Sequence, residues 1–378
     1  MMILNEEQAS LQKLVQEFAL KEVAPRAAAY DHSEEFPWEN IKKMAELGLM
    51  GLPIPEQYDG AETDTVSYII AIEEISKACA ATGVIVAVHT SVGILPILYF
   101  GTEEQKQKYI PPLARGEKIG AFALTEPNAG SDASKVATIA TLEGDHYVLN
   151  GTKCFITNGA VAETFIVLAS TDRSKGTKGI TAFIVEKNTP GLSVGKKEEK
   201  MGIRASSTTE IILDNCLIPK ENLLGKVGEG FKVAMTALDS GRIGIAAQAL
   251  GIAEAAYQEA VKYAKEREQF GKPIAAFQAI SFMLADMAIQ IEAARHLVYN
   301  AAALKDAGRP FGKEAAIAKT FASDTAVKVA LDAIQVLGGY GYSREYPVER
   351  LLRDAKITQI YEGTNQIQRV VIASYILK

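Results

Sequence analysis

The hydrophobic periodicity changes twice along this chain of 378 residues, and that change constrains the fold more than any other feature. In the first third, apolar residues recur at helical spacing. In the middle, the spacing falls to two, in short runs of β-branched and aromatic residues divided by turn signals. Long helical stretches then return. The sequence therefore predicts three domains: an N-terminal helical domain (1–118), a middle antiparallel β-barrel or β-sandwich domain (119–226) and a C-terminal four-helix bundle (227–378).

Local signals place the ends of the predicted elements. Asn5, with Gln8 three residues later, predicts a capped helix start, and Pro25 predicts the end of that helix. Pro111 and Pro112 are expected to close a short polar helix that begins near residue 103. Other predicted helices are 38–47, 65–80, 231–265, 280–307 and 313–337, with two more beginning at Pro347 and Thr364. Predicted strands are 138–141, 147–149, 164–168, 180–185 and 210–213.

Charge and cysteine content exclude some classes of function. The net charge of −6 argues against a nucleic-acid binder, which needs a basic face to neutralise phosphates. Three separated cysteines, Cys79, Cys154 and Cys216, give no disulfide framework and are typical of a reducing compartment. The acidic start lacks a targeting pattern, so we expect a cytoplasmic chain. The uncharged run 78–102 could span a bilayer by length, but its Gly, Pro and polar residues favour buried helices, so we expect no membrane association.

Two motifs in the middle region carry residues suited to binding a cofactor. In residues 124–132, Gly130 allows close backbone approach, Thr125 and Ser131 offer hydroxyl groups, and the loop N–H groups can form an anion-binding nest. A solvated turn explains this loop equally well. In residues 155–159, an aromatic side chain beside a hydroxyl could stack on a ring and bond its edge, although a strand end with a turn has the same composition.

Three motifs in the C-terminal region are also open to two interpretations. A glycine at position 241 costs roughly 1 kcal/mol against Ala inside a helix, which indicates close packing against a ligand or another helix. Asp239 and Arg242 beside it could simply pair with each other. Arg267 suits a phosphate but also a helix C-terminus. The glycine-rich segment 335–341 exposes backbone to a ligand or forms a helix C-cap.

The last motif, residues 361–369, places Glu362 at a junction between helices. A carboxylate in an apolar pocket has a raised pKa and is an effective base, whereas a solvated loop glutamate has no special role. Thr364 in the same motif also fits an ordinary N-cap. The four histidines show no metal-ligand spacing, so we expect no metal site.

Taken in order along the whole chain, these motifs resemble the acyl-CoA dehydrogenase family, with the closest likeness to short-chain or butyryl-CoA dehydrogenases. The most specific stretches are 124–132, 335–354 and 360–369. In this chain, one set of residues is similar to the family's C-terminal signature: Gln335, Gly338, Gly339 and Gly341, followed by Glu345, Arg350 and Asp354. Two positions depart from the pattern: Phe155, where many members have Trp, and Lys135, where a small residue is common.

The resemblance implies FAD as cofactor, an acyl-CoA thioester as substrate and Glu362 as the catalytic base. The cofactor would be contacted by residues from five of the motifs: Phe122, Leu124, Thr125, Gly130, Ser131, Phe155, Ile156, Thr157, Arg267, Phe270, Gln278, Gln335, Val336, Leu337, Gly338, Gly339, Thr364, Asn365 and Gln366. The substrate would be contacted by Ser131, Leu238, Asp239, Arg242, Tyr361 and Gly363.

The resemblance also implies a reaction. Glu362 would take the α-proton of a short- to medium-chain acyl-CoA while a hydride leaves the β-carbon for the flavin, giving the trans-2-enoyl-CoA. Some family members place the base on the helix that carries Gly241; glycine cannot serve, which strengthens the assignment to Glu362. Electrons would pass to an electron-transfer flavoprotein. The protein would be a homotetramer, a dimer of dimers, with part of the FAD site supplied by a neighbouring subunit. The uncharged run 78–102 indicates an apolar acyl tail.

Two alternatives stay open at this point. An acyl-CoA oxidase would share the fold and pass electrons to O2, although such oxidases are often longer than 378 residues. A non-catalytic relative acting as a nucleic-acid-binding or scaffold module would show a basic surface and loss of the base. The net charge of −6 and the retained Glu362 count against it.

Overall fold

The structure, a computed structural model, describes residues 4–377. Seven helices come first: α1 (Glu6–Phe18), α2 (Ala24–Ser33), α3 (Trp38–Glu46), α4 (Thr65–Ala78), α5 (Ala80–Val88), α6 (Leu95–Phe100) and α7 (Glu103–Ala114). The predicted capping box is present, because the Gln8 N–H donates to Asn5 Oδ1 over 2.8 Å and the Asn5 N–H donates to Gln8 Oε1 over 3.1 Å. The sequence signal at this helix start is therefore confirmed.

Two predictions that rested on proline were wrong. The first helix does not end at Pro25, because a π-helical turn, Ala19–Val23, carries the chain from α1 directly into α2. A wider turn accommodates a residue that has no N–H to donate. Pro111 and Pro112 lie inside α7 instead of closing it. Burial of Ile110 and Leu113 in the core keeps this last turn helical despite the proline penalty of about 3 kcal/mol.

The middle region forms one eight-stranded sheet. Its strands are β1 (Gly120–Ala123), β2 (Ile139–Glu143), β3 (His146–Thr157), β4 (Thr164–Ser170), β5 (Ile180–Glu186), β6 (Leu192–Lys197), β7 (Thr208–Pro219) and β8 (Leu223–Leu224). Their order is β6-β7-β3-β2-β4-β5-β8, and β1 pairs with β4. Most pairs are antiparallel as predicted, whereas β1–β4 and β2–β4 are parallel. The edge strands β6 and β8 are absent from the prediction, since β6 is polar and β8 is very short.

Five helices complete the chain: α8 (Gly230–Glu266), α9 (Gln278–Asp306), α10 (Gly312–Leu337), α11 (Val348–Thr358) and α12 (Asn365–Ile376). A short hairpin of Glu268–Gln269 with Lys272–Pro273 separates α8 from α9. Alanines line the buried faces of α8 and α10, so these two helices pack closely. The predicted order of helical, β and helical regions is confirmed, and the boundaries chosen for the three domains stay predictions.

The uncharged run forms a continuous helical segment, Ala80–Phe100, that is long and apolar enough by composition to cross a membrane. Most of it is buried inside the fold: every residue of α5 and of the π-helical turn His89–Ile94 is buried. A core helix of a globular domain has the same composition. The burial therefore agrees with the prediction of buried helices at this place.

The apolar core joins the two helical regions. One continuous cluster runs from α1, α4 and α5 into α8, α9, α10 and α11, while two smaller clusters cover the two faces of the sheet. Within the bundle, α11 and α12 both pack on α10, and α11 also packs on α8. The junction between α11 and α12 consequently rests on two long helices in the middle of the molecule.

Candidate active site

Glu362 lies in the tight connection between α11 and α12. Its backbone is left-handed, with φ 53°, and the next residue, Gly363, has φ 89°. Two successive left-handed residues reverse the chain sharply, and only the second is a glycine that adopts this conformation without cost. Thr364 then caps α12, because its hydroxyl accepts the N–H of Ile367 over 3.3 Å. The N-cap prediction is confirmed.

The carboxylate of Glu362 has an oxygen atom that no donor of the described residues bonds. Its Oε2 atom is shielded from solvent and makes no hydrogen bond within residues 4–377. Over the same described residues, the Glu362 N–H also donates to no acceptor. A buried polar atom left without a partner is costly, so sites of this kind have a functional reason. The residue thus offers a ligand both a carboxylate oxygen and a backbone donor.

Gly241 of α8 faces this carboxylate. A Cβ atom added at Gly241 would lie 2.7 Å from Glu362 Oε2 and 2.9 Å from its Cδ. Both distances are shorter than van der Waals contact allows. The helix glycine that the sequence left unexplained therefore faces the side chain of Glu362, and a larger residue here would displace the carboxylate.

The electrostatic surroundings of Glu362 are unusual. Burial raises the pKa of Glu362 to about 7, and the nearby cations Arg242 and Lys319 oppose that rise. Arg242 is itself paired with Asp239, so much of its charge is already compensated. A carboxyl group with a pKa close to neutral can both accept and release a proton at physiological pH, which is what proton abstraction requires.

Lys319 and Gln368 hold the backbone of this turn. The Lys319 side chain is fully buried, and its Nζ donates to Gly363 O over 2.8 Å and to Asn365 Oδ1 over 2.9 Å. Gln368 Nε2 donates to the carbonyl oxygens of Glu362 (3.0 Å) and Gly363 (2.9 Å). Neither residue was predicted from the sequence. Lys319 was detectable, because it is a lone charge at helical spacing among the alanines of α10.

Most predicted substrate contacts surround Glu362. Tyr361 is adjacent in sequence, and its hydroxyl donates to Gln248 on α8. Asp239 and Arg242 lie on the α8 turn that carries Gly241, and the Arg242 Nε atom is buried without a partner. Leu238, on the same turn, is half-buried. Ser131 is different: it lies in an exposed loop of the sheet region.

The predicted flavin-side loop, residues 124–132, is held against β3. The Cys154 N–H donates to Thr125 O over 2.9 Å, so the loop lies beside the segment that carries Phe155. Below them, a fully buried Lys153 pairs with Glu126, with 2.6 Å between Nζ and Oε1, and also donates to Leu124 O over 3.2 Å. This buried pair was not predicted, since nothing in the alternation of β3 marks Lys153 as internal.

Several side chains near this loop are available for contact. Phe155 is 64% exposed with a left-handed φ of 56°, and Gly130 has open space where a side chain would be. Phe122 and Thr157 are half-buried, whereas Ile156 is buried in the sheet core. Exposed rings and open backbone are suited to a planar ligand.

A separate groove of about 630 Å³ brings other predicted cofactor residues together. Its lining includes Arg267 and the residues Val336, Leu337, Gly338 and Gly339. Nothing lies within 4 Å of a Cβ added at Gly338 or Gly339, so their backbone is accessible. Three other predicted cofactor residues are exposed to solvent but do not line the groove: Gln335, Gln278 and Phe270, the last of which is 92% exposed.

The start of α12 is more tightly bonded than a ligand site alone would require. Asn365 is buried, and its Nδ2 donates to Ser323 Oγ over 2.9 Å and to Asp324 Oδ1 over 2.8 Å. Gln366 is exposed.

A larger cavity of about 720 Å³ lies between α1, α2 and the 344–351 segment, and none of the predicted site residues lines it. Across residues 4–377, His, Cys, Asp and Glu form no cluster able to hold a metal ion.

Family models cover nearly the whole chain. The acyl-CoA dehydrogenase N-terminal domain matches residues 5–117, the middle domain matches 121–216 and the C-terminal domain matches 228–377. The chain therefore belongs to the acyl-CoA dehydrogenase family, and the predicted fold class and enzyme class are confirmed.

Particular relatives extend this match. An acyl-CoA dehydrogenase of Bacillus subtilis (strain 168) is 62% identical over 376 residues, covering 100% of this chain and 99% of the relative. Butyryl-CoA dehydrogenase from Megasphaera elsdenii superimposes with a TM-score of 0.98 at 52% identity and full coverage of both chains. A chain from structural work on the electron transferring flavoprotein of Acidaminococcus fermentans has a TM-score of 0.99 at 54% identity, again with full coverage.

The residues present fit FAD, the cofactor of this family. The open glycine backbone at 338–339 is suited to a diphosphate, and the exposed ring of Phe155 is suited to an isoalloxazine. Arg267 supplies a planar cation in the groove beside those glycines. Donors and open backbone occur together where a dinucleotide would have to be held.

Proposed function

We propose that this chain oxidises the Cα–Cβ bond of a short- to medium-chain acyl-CoA thioester to the trans-2-enoyl-CoA, with Glu362 as the base. One observation carries the proposal: the Glu362 Oε2 atom is shielded from solvent and without a partner opposite a helix glycine, and burial raises the pKa of this carboxyl group to about 7. A base in this state is suited to removing a proton from a weak carbon acid. The family match and the retained carboxylate count against the non-catalytic alternative.

The chemistry of the side chains follows from this geometry. The α-hydrogen of a thioester is a poor acid, because charge must develop on the thioester oxygen as the proton leaves. The Glu362 N–H is available to donate to that oxygen and to stabilise the charge. The Glu362 carboxylate takes the proton and becomes a carboxylic acid. FAD, when bound, supplies the acceptor for the hydride that leaves the β-carbon.

We assign cofactor binding to two groups of residues. The flavin ring would contact the 122–131 strand and loop, together with Phe155, Ile156 and Thr157, because those two segments are bonded to each other. The diphosphate and adenosine portion would be held by Arg267 and the 335–339 segment, with support from Phe270 and Gln278. The residues at 364–366 would contact the cofactor from the start of α12. The accessible glycine backbone of the groove supports this division.

Substrate contacts are proposed on α8 and beside the base. Arg242 has a buried Nε without a partner, and its Nη1 donates to Asp239 Oδ1, so this pair can orient a polar part of the thioester ligand. Leu238, Tyr361 and Gly363 would complete the site near Glu362, and Ser131 would approach from the flavin-side loop. The uncharged, buried helix α5 near this region supports an apolar acyl tail.

The partners proposed are an electron-transfer flavoprotein and three further copies of this chain. The Acidaminococcus fermentans match supports the electron acceptor. Association is supported by large apolar side chains left exposed on and before α9: Phe270 at 92%, Phe282 at 59% and Ile289 at 65%. Phe282 and Ile289 are seven residues apart and so share one face of the helix. Exposed apolar surface of this kind marks an interface.

The substitution Glu362→Gln tests the proposal. Gln keeps the size of the side chain but cannot take a proton, so the variant should keep bound FAD and lose flavin reduction by butyryl-CoA by at least about 10³-fold. Anaerobic stopped-flow absorbance measures this bleaching. Glu143→Gln, at an exposed glutamate of β2, is the matched control and should behave as wild type. A Glu362→Gln enzyme with a near-normal bleaching rate would remove Glu362 from the reaction.

A further inference from the structure

A buried lysine next to the base has no role in the reaction as set out so far. Lys319 is on α10, its side chain is fully buried, and both of its hydrogen-bond acceptors are neutral oxygens, Gly363 O and Asn365 Oδ1. Burying a cation without an ion-pair partner in contact is costly. The charge at this buried position therefore calls for an explanation.

The two acceptors show which part of the molecule Lys319 controls. Gly363 O belongs to the residue directly after the base, and Asn365 is the first residue of α12. Ser323 and Asp324, one helical turn further along α10, bond the other end of the Asn365 amide. One face of α10 therefore fixes the turn that orients the Glu362 carboxylate. Among the described residues of α10, Lys319 is the only cation that donates a hydrogen bond to this turn.

We propose that Lys319 is a positioning residue for the base: it fixes the Glu362–Gly363 turn through the Gly363 carbonyl and supplies the positive charge that keeps the neighbouring carboxylate ionised. This inference rests on the proposed role of Glu362. Lys319 itself touches neither substrate nor cofactor in this proposal, and it acts through the turn and through its charge.

The charges around Glu362 make Lys319 the cation that matters. On α8, Arg242 is already paired with Asp239. On α4, Tyr68 is neutral, because burial raises the pKa of its hydroxyl far above its usual range, and the same holds for Tyr361. On α10, Asp324 is half-buried, is bonded by Gln359 and Asn365, and pairs with Arg369 of α12. Lys319 is left as the cation that no carboxylate neutralises by direct contact.

Lys319 and Glu362 each favour the charged form of the other. Burial lowers the pKa of Lys319 to about 7, and the Glu362 carboxylate opposes that fall. Burial raises the pKa of Glu362 to about 7, and Lys319 opposes that rise. If the lysine charge is removed, the pKa of Glu362 rises further. The carboxylate is then protonated at a higher pH than in wild type. Because the reaction needs the ionised carboxylate, activity begins to fall at a higher pH as the pH is lowered.

The experiment compares pH profiles of three variants of the holoenzyme. Lys319→Met removes both charge and hydrogen bonds, whereas Lys319→Gln removes the charge but keeps an N–H donor on a shorter side chain. Gln368→Met is the matched control, because Gln368 bonds the same turn without a charge. In anaerobic bleaching by butyryl-CoA, we expect the acidic limb of the rate to move up by about one pH unit in both lysine variants. In Gln368→Met the rate should fall while the limb stays in place.

A second readout is independent of turnover. The protonated carboxyl band of Glu362, assigned by its loss in Glu362→Gln, can be titrated by pH-difference infrared spectroscopy, and its midpoint should rise in the lysine variants. If wild type fails to bleach, the proposed function fails, and the infrared midpoint still decides the role of Lys319. If the lysine variants do not fold, Asp324→Asn removes a carboxylate that favours the charged form of Lys319, so the lysine loses its proton at lower pH and both midpoints should move up. Unmoved midpoints in the variants that fold would overturn the proposal.

Discussion

The contact between Gly241 and Glu362 permits a sharp prediction about the variant Gly241→Ala. The added methyl group would lie 2.7 Å from Oε2, 2.9 Å from Cδ and 3.1 Å from Oε1 of Glu362, so the whole carboxylate has to move. Relief of these overlaps needs a displacement of about 0.5–1 Å, and a misplacement of about 1 Å costs about 10²-fold in rate. We expect flavin reduction by butyryl-CoA to slow by about 10- to 100-fold, which is about 1.4–2.7 kcal/mol of barrier.

The assay is anaerobic stopped-flow bleaching of the flavin at saturating butyryl-CoA, together with FAD content and thermal unfolding. The folded state should survive, because Ala favours the helix over Gly by about 1 kcal/mol and partly offsets the clash. Gly244→Ala, one turn along α8, is the control: its Cβ would meet the Tyr68 hydroxyl at 3.0 Å and not Glu362. A Gly241→Ala enzyme within about threefold of wild type would refute the reasoning.

Two further predictions concern the cofactor region. Lys153→Met leaves the buried Glu126 carboxylate unpaired, so the free energy of unfolding measured in urea should fall by about 3–5 kcal/mol. The double variant Lys153→Met with Glu126→Gln should recover part of this loss. Equal stability of Lys153→Met and wild type would contradict the prediction. Arg267→Ala should weaken FAD retention by about tenfold in gel filtration and dialysis, because it removes a charge-assisted hydrogen bond. Lys265→Ala, at the same helix end, is the control and should leave retention unchanged. Unchanged retention in Arg267→Ala would refute the assigned contact.

Much of the fold was readable because helix and strand periods differ and because several ends carry strong signals. The capping residues Asn5 and Thr364 mark helix starts that the structure contains. The failures share one cause. Pro25 and Pro111 are tolerated inside helical segments because a π-helical turn and a buried apolar face outweigh the local preference of proline. Tertiary packing of this kind is not visible in a local sequence window.

The site was predictable in its central residue and not in its supports. Glu362 was found by its motif, while the surroundings that raise its pKa come from chain segments far apart in sequence. Lys153 was missed because a buried lysine looks like a surface lysine until its partners are known, whereas Lys319 could have been found as a lone charge among the alanines of α10. Gly241 was noticed as costly in a helix, but only the structure shows that the Glu362 carboxylate fills the space beside it.

The left-handed backbone at Glu362 limits how this lineage can lose its activity. Residues branched at Cβ are disfavoured at φ 53°, so Val, Ile or Thr at this position would strain the connection, as Ile203 strains its own turn at φ 43°. Neutral drift after a gene duplication would therefore pass more easily through glycine and unbranched residues than through Val, Ile or Thr. Descendants that have given up catalysis should carry glycine or an unbranched residue at this position, followed by an unchanged glycine.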